Sequence, residues 1–210
     1  MSEKTEIKIS PHFWFRRIHS LAGVFPIGAF LLEHMFSNAY IIRGPEAYNA
    51  QIKFLSGLPY VLWLEVLFIY LPILYHAFYG FYVWFTGKNN LGAYPYPANW
   101  LYALQRWTGL VTFVFILYHV YETRVQNLLY GTEVSFARMH EIMIEPWAFA
   151  AYTIGLAAVM FHFANGLWGF LISWGITVGE NARKFSGWVC ALIGIGLFTT
   201  GMNALVHLIH

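Results

Sequence analysis

Charge is what this chain has least of. Only 10% of its 210 residues are Asp, Glu, Lys or Arg, against about 25% in a soluble domain. The formal net charge is +2, so no basic footprint for nucleic acid is present. Cysteine is nearly missing as well. The single Cys190 rules out an internal disulfide, a C-x-x-C metal or redox motif, a C-x-x-C-H attachment site and a cysteine-held iron–sulfur cluster. It reads as a small apolar helix residue. No Gly-rich dinucleotide fingerprint occurs. The N-terminus, MSEKTEIKIS, lacks the basic-then-apolar layout of a signal peptide. Arg16-Arg17 mimics a twin-arginine signal, but the following apolar segment is too long and no small-residue cleavage site follows. The first helix is expected to stay in the mature protein.

What the chain does have is apolar length. It is 59% hydrophobic and 20% aromatic. A helix needs about 20 mainly apolar residues to cross the hydrocarbon core. Five segments qualify, approximately 15–40, 60–85, 101–125, 147–174 and 187–209. The expectation is an all-α integral membrane protein, one transmembrane domain over residues 1–210, with an antiparallel four-helix bundle and a fifth helix appended. Pro59 and Pro146 suit helix starts. Tyr94-Pro95-Tyr96-Pro97 separates the second span from the third. Pro26 and Pro72 fall inside spans, where neighbouring helices can satisfy the freed carbonyls. Tryptophans 14, 63, 100, 147, 174 and 188 lie near span ends, as an interfacial belt requires.

Lysine and arginine set the direction. Lys4, Lys8, Arg16, Arg17, Lys88, Arg106, Arg183 and Lys184 fall on one side, against Arg43, Lys53, Arg124 and Arg138 on the other, a ratio of eight to four. The positive-inside rule places the N-terminus in the cytoplasm.

Four histidines then stand out inside the spans: His34, His76, His119 and His162, at intervals of 42, 43 and 43 residues. Each interval is one crossing plus a loop, so each histidine sits on its own helix. His34 follows Arg17 by 17 residues and His119 follows Arg106 by 13, which puts them about 26 and 20 Å from the inner edge. His76 and His162 follow Pro59 and Pro146 by 17 and 16 residues on helices running the other way, about 25 Å from the outer edge. His34 and His119 therefore share the outer half, and His76 and His162 the inner half. A lone membrane histidine is ordinarily a helix–helix hydrogen bond. Four at near-equal spacing, matched in depth by pairs, argue instead for axial ligation of two haems. Such centres suit single-electron transfer, and two stacked make a wire across the bilayer. The second ring nitrogen of each ligand needs an acceptor, expected to be a carbonyl one turn earlier. His12, His140, His207 and His210 lie at ends or loops and receive no role. His19, one turn inside the first helix, is left open. A short repeat links Arg17-Ile-His-Ser-Leu-Ala-Gly23 with Arg106-Trp-Thr-Gly109: His34 and His119 follow those glycines by 11 and 10 residues.

Six segments read together carry a resemblance: Phe15-Arg-Arg-Ile-His-Ser-Leu-Ala-Gly23, Tyr75-His-Ala-Phe-Tyr-Gly80, Lys88-Asn-Asn, Gln105-Arg-Trp-Thr-Gly109, His119-Val-Tyr-Glu-Thr-Arg124 and His162-Phe-Ala-Asn-Gly-Leu-Trp168. The chain resembles the di-haem, five-helix cytochrome b subunits of succinate dehydrogenase found in Bacillus and its relatives, from about Phe13 to the last helix. The resemblance implies a cell-membrane anchor for a flavoprotein and an iron–sulfur protein on the cytoplasmic face. Electrons from succinate would pass through FAD and iron–sulfur clusters on those partners, then two haem b groups, to a quinone, commonly menaquinone. The dicarboxylate site lies on the partners, so no catalytic residue is assigned. It implies His34 and His119 as ligands of the outer haem iron, and His76 and His162 of the inner one. In some relatives a glutamate two residues before the fourth ligand is tied to proton movement; here that position is Met160, so no such path carries over.

Arg16, Arg17, Arg106, Arg183 and Lys184 are candidates for haem propionates or a quinone, since arginine offers paired donors; topology anchoring explains the same charges. Glu33 and Glu65 are the acids expected within spans, as proton carriers or helix-bridging groups. Two rival functions stand. One is a di-haem anchor of a fumarate reductase, hydrogenase or formate dehydrogenase, told apart by its soluble partners. The other is a proton-coupled transporter with a histidine relay, which would be colourless.

Overall fold

In the computed structural model, which describes residues 10–210, every regular element is a helix. Lys4 and Lys8, counted above for orientation, lie outside the described residues. Five helices among the described residues are long and apolar enough to span a membrane: Pro11–Arg43, Val61–Thr86, Pro97–Tyr130, Pro146–Ser173 and Glu180–Ile209. Three open on proline in the first turn, where the missing N–H costs nothing.

The spans reach beyond the apolar segments at several ends, and the reasons are local. The third begins at Pro97 rather than Leu101 because proline there pre-sets the first turn. It runs on to Tyr130, where Gly131 adopts φ 69° and stops it. The fifth begins at Glu180 rather than Gly187. Its first two turns are polar yet helical: Glu180 complements the helix dipole and pairs with Lys184 one turn on, at 2.6 Å. Hydropathy registers only the apolar remainder.

Two spans depart from regular α-geometry near the end of the bundle where the first span ends. Val66–Tyr70 forms a π-helical turn just before Leu71-Pro72, and Tyr121–Val125 forms another just after His119. The first span breaks at Phe25-Pro26 and resumes at Ile27, since Pro26 cannot continue the hydrogen-bond ladder.

Two shorter helices, Pro45–Ser56 and Phe136–Met143, join the first span to the second and the third to the fourth. Their polar faces hid them from a hydropathy reading. Ser135 caps the latter by accepting from the Arg138 amide at 3.2 Å. Asn49 ties the two together, accepting from the Phe136 amide at 2.8 Å. Around them lies the most buried cluster, including Ile41, Tyr48, Met143, Ala148, Tyr152 and Leu208. The tightest packing thus caps the end of the bundle where the first span ends and the second begins.

The fourth span is central, packing against the first, third and fifth; the second packs chiefly on the first. Small residues let the fourth and fifth approach closely. A β-carbon on Gly194 would come 2.7 Å from that of Ala164, and one on Gly201 would meet Leu156 and Met35 at 2.8 Å. Cys190 is buried in the same helix. Trp14, Trp63, Trp100, Trp147, Trp174 and Trp188 are all exposed near span ends.

Candidate functional site

The bundle brings the four span histidines into two facing pairs. His34, near the end of the first span, and His119, in the third, have ring centroids 5.7 Å apart at an interplanar angle of 76°. His76, in the second, and His162, in the fourth, are 6.1 Å apart at 88°. A metal–imidazole bond is about 2 Å, so two imidazoles gripping one metal hold their ring centroids roughly 6 Å apart. Both separations match that clamp. Among the described residues no three His, Cys, Asp or Glu side chains converge. A bare ion would lack ligands here, whereas a macrocycle that supplies its own equatorial donors needs only two.

The ring nitrogens are poised for metal ligation in two of the four. Nδ1–H of His76 donates to the carbonyl of His19 at 3.0 Å, and Nδ1–H of His162 donates to that of Gln105 at 3.0 Å. Nδ1 of His119 is 3.2 Å from the Tyr152 hydroxyl. In His76 and His162, with Nδ1–H so engaged, the lone pair on Nε2 is free for a metal. These acceptors lie on neighbouring helices, not one turn earlier on the same helix as expected. In a helix the carbonyl one turn back already serves the ladder beneath its own ring; a facing helix offers its carbonyl from the side. His34 differs: Asn38 donates to its carbonyl at 2.8 Å and its amide nitrogen lies 3.4 Å from Nε2.

Two glycines make room for the inner pair. A β-carbon on Gly23 would come 2.6 Å from Cε1 of His76, and one on Gly109 would come 2.9 Å from Cε1 of His162. Each glycine lies four residues after the residue whose carbonyl binds that histidine, His19 and Gln105. The faint sequence repeat is therefore a repeated device: carbonyl, one turn, glycine, with a histidine from the next span lodged against both. Paired imidazoles at clamp distance are a donor set that fits haem.

The cations divide. Arg106 is half-buried and held by the chain itself, donating to Asn89 Oδ1 at 2.5 Å, to the Gly87 carbonyl at 2.8 Å and to the Trp84 carbonyl. Its Nε is buried without a partner. Arg17 lies over the rings of Phe13 and Trp174, 5.1 Å from each centroid. Arg16, Arg183 and Lys184 are exposed, and Lys184 pairs with Glu180. Of the two span acids, Glu65 pairs with Arg124 at 2.6 Å, bridging the two π-helical turns. Glu33 accepts from Ser37, which in turn accepts from Gln51 at 3.0 Å. Both acids thus bridge or brace helices. Met160 is buried on the fourth span.

The sequence reading missed several supporting residues. Tyr152, buried in the outer core, meets His119. Gln105 clasps His162 twice, its side chain donating back to the His162 carbonyl at 3.0 Å while accepting from Asn165 at 2.7 Å. His19 stacks on His76 with centroids 4.0 Å apart. The one available signal was the polar residue a turn before each glycine.

A family model described as the succinate dehydrogenase/fumarate reductase transmembrane subunit matches residues 87–201, which include His119 and His162. Over 193 residues the chain is 44% identical to the succinate dehydrogenase cytochrome b558 subunit of Bacillus subtilis (strain 168), covering 92% of this chain and 95% of that protein. Over 204 residues it is 26% identical to the fumarate reductase cytochrome b subunit of Wolinella succinogenes, covering 87% of this chain and 78% of that protein.

Proposed function

This chain belongs to the family of succinate dehydrogenase/fumarate reductase transmembrane subunits, and on that premise we propose that it is the haem-bearing membrane anchor of a succinate:quinone oxidoreductase. It carries electrons from an iron–sulfur partner on the cytoplasmic face to a membrane quinone, menaquinone by its likeness to the Bacillus-type subunits. The single observation that carries the reading is the pair of histidine clamps, one above the other, each drawn from two different spans.

In this reading His34 and His119 hold the outer haem, and His76 and His162 the inner one. Haem held by these imidazoles would supply single-electron exchange. The chain's part is to fix the clamps. The His19 and Gln105 carbonyls hold the inner imidazoles in one tautomer, the Tyr152 hydroxyl supports the His119 ring, and Gly23 and Gly109 keep the space clear. The apolar spans exclude water from both levels. Arg17 and Arg106 are the cations closest to the bundle at its inner end, and so are the better placed for an anionic haem edge or quinone. The excess of Lys and Arg on the loops that share the N-terminal side supports a cytoplasmic N-terminus. A flavoprotein with FAD and an iron–sulfur subunit complete the complex, because this chain has no residues to bind either cofactor.

Succinate-driven reduction tests this. In membranes carrying the complete complex, succinate should reduce b haem, and malonate should block it. Haems that respond to a quinol but never to succinate, with no flavoprotein copurifying, would contradict the assignment.

A further inference from the structure

His19 is a span histidine that neither clamp uses, and it touches one of them closely. Its ring lies parallel to that of His76, with centroids 4.0 Å apart and an interplanar angle of 11°. Its own carbonyl accepts from His76 Nδ1 at 3.0 Å. The second histidine pair member offers an internal contrast. Position 105 stands to His162 as position 19 stands to His76: same carbonyl bond, same glycine four residues on. There the side chain is an amide, and it turns away from the ring to bond the His162 backbone and Asn165. At position 19 the side chain is a flat ring laid on the imidazole.

The His19 ring is held there by packing. Tyr79 lies against it with centroids 5.4 Å apart, and a β-carbon at Gly80 would sit 3.4 Å from its Cε1. Its Nδ1 is buried without a hydrogen-bond partner, as is the Tyr79 hydroxyl. Burying an unpaired polar nitrogen is unfavourable, and the stack on His76, at 4.0 Å, is the closest ring contact that His19 makes.

We propose that His19 is a positioning residue for His76: its carbonyl fixes the tautomer and its ring fixes the rotation of the imidazole plane about the metal–nitrogen axis. Axial imidazole orientation and basicity tune a haem. The inner centre's midpoint potential and low-spin signature therefore depend on residue 19, and the outer centre's do not. The inference rests on the haem reading above.

The test is a redox titration with low-temperature electron paramagnetic resonance on the intact complex in membranes, comparing native protein with His19→Ala and His19→Phe. Both variants keep the carbonyl. His19→Ala should retain two haems, shift the inner midpoint potential and its low-spin signal, and leave the outer ones unmoved. His19→Phe keeps a flat ring and should stay close to native. Should His19→Ala not assemble, His19→Leu, of similar bulk without a flat ring, should show the same shift. An inner centre unchanged in the ring-less variant overturns the proposal. So does loss of the inner low-spin signal in His19→Ala and His19→Phe alike, which would make the His19 nitrogen itself the ligand. Native complex without haem would instead sink the parent reading, so the two failures are distinct.

Discussion

Gly109 stands so close to His162 that a β-carbon would come within 2.9 Å of the imidazole Cε1. Something must move if that β-carbon exists, and the ring is the exposed party because the glycine is helix backbone. Gly109→Ala should displace His162, at an overpacking cost of about 1–3 kcal/mol. The expected result is loss or weakening of the inner haem band in a reduced-minus-oxidised spectrum, with the outer band kept. Gly23→Ala should do the same through His76, where the approach is 2.6 Å. Native spectra from both variants would show that the rings do not lodge there.

His119→Leu should remove the outer haem and largely spare the inner one, because His119 faces His34 and not the other pair. His76→Leu should give the reverse. If either variant lost neither band, the pairing would be refuted.

Tyr152→Phe removes the hydroxyl 3.2 Å from His119 Nδ1 and little else. Loss of such a supporting partner typically weakens metal-site affinity about 10–100-fold. The outer haem should therefore be released more readily on detergent dilution, and its midpoint potential should move. The inner haem serves as the internal control. Equal retention of both haems would assign Tyr152 to packing alone.

The Glu65–Arg124 pair ties the π-helical turns of the second and third spans at 2.6 Å, and both side chains are partly exposed, at 21% and 38%. Its coupling should be on the order of 1 kcal/mol, near the upper end for exposed pairs. A double-mutant cycle with Glu65→Gln and Arg124→Gln, read by thermal denaturation of the purified complex, checks this. Additive losses would mean no coupling.

Much of this was legible before any coordinates. Apolar length located the five spans, and residue counts from Arg17, Arg106, Pro59 and Pro146 matched the histidines by depth, because helix rise is constant. What stayed hidden depends on which faces meet. Tyr152 and Gln105 are polar residues in apolar runs, and only the packing of the fourth span on the third aims them at His119 and His162. The Nδ1 acceptors were expected on each ligand's own helix for the same reason: a sequence shows neighbours along the chain, not across it. The helices Pro45–Ser56 and Phe136–Met143 escaped because hydropathy ranks long apolar runs and passes over short capped ones. Glu180–Ser186 was missed likewise, since charge pairing rather than apolarity makes it helical.

The most direct test of the central claim is a haem count on the purified complex by the pyridine haemochrome method, set against protein concentration. Two b haems per copy of this chain are expected, falling to one in His119→Leu and to one in His76→Leu. No haem in the native protein, or two retained in both variants, would contradict the account.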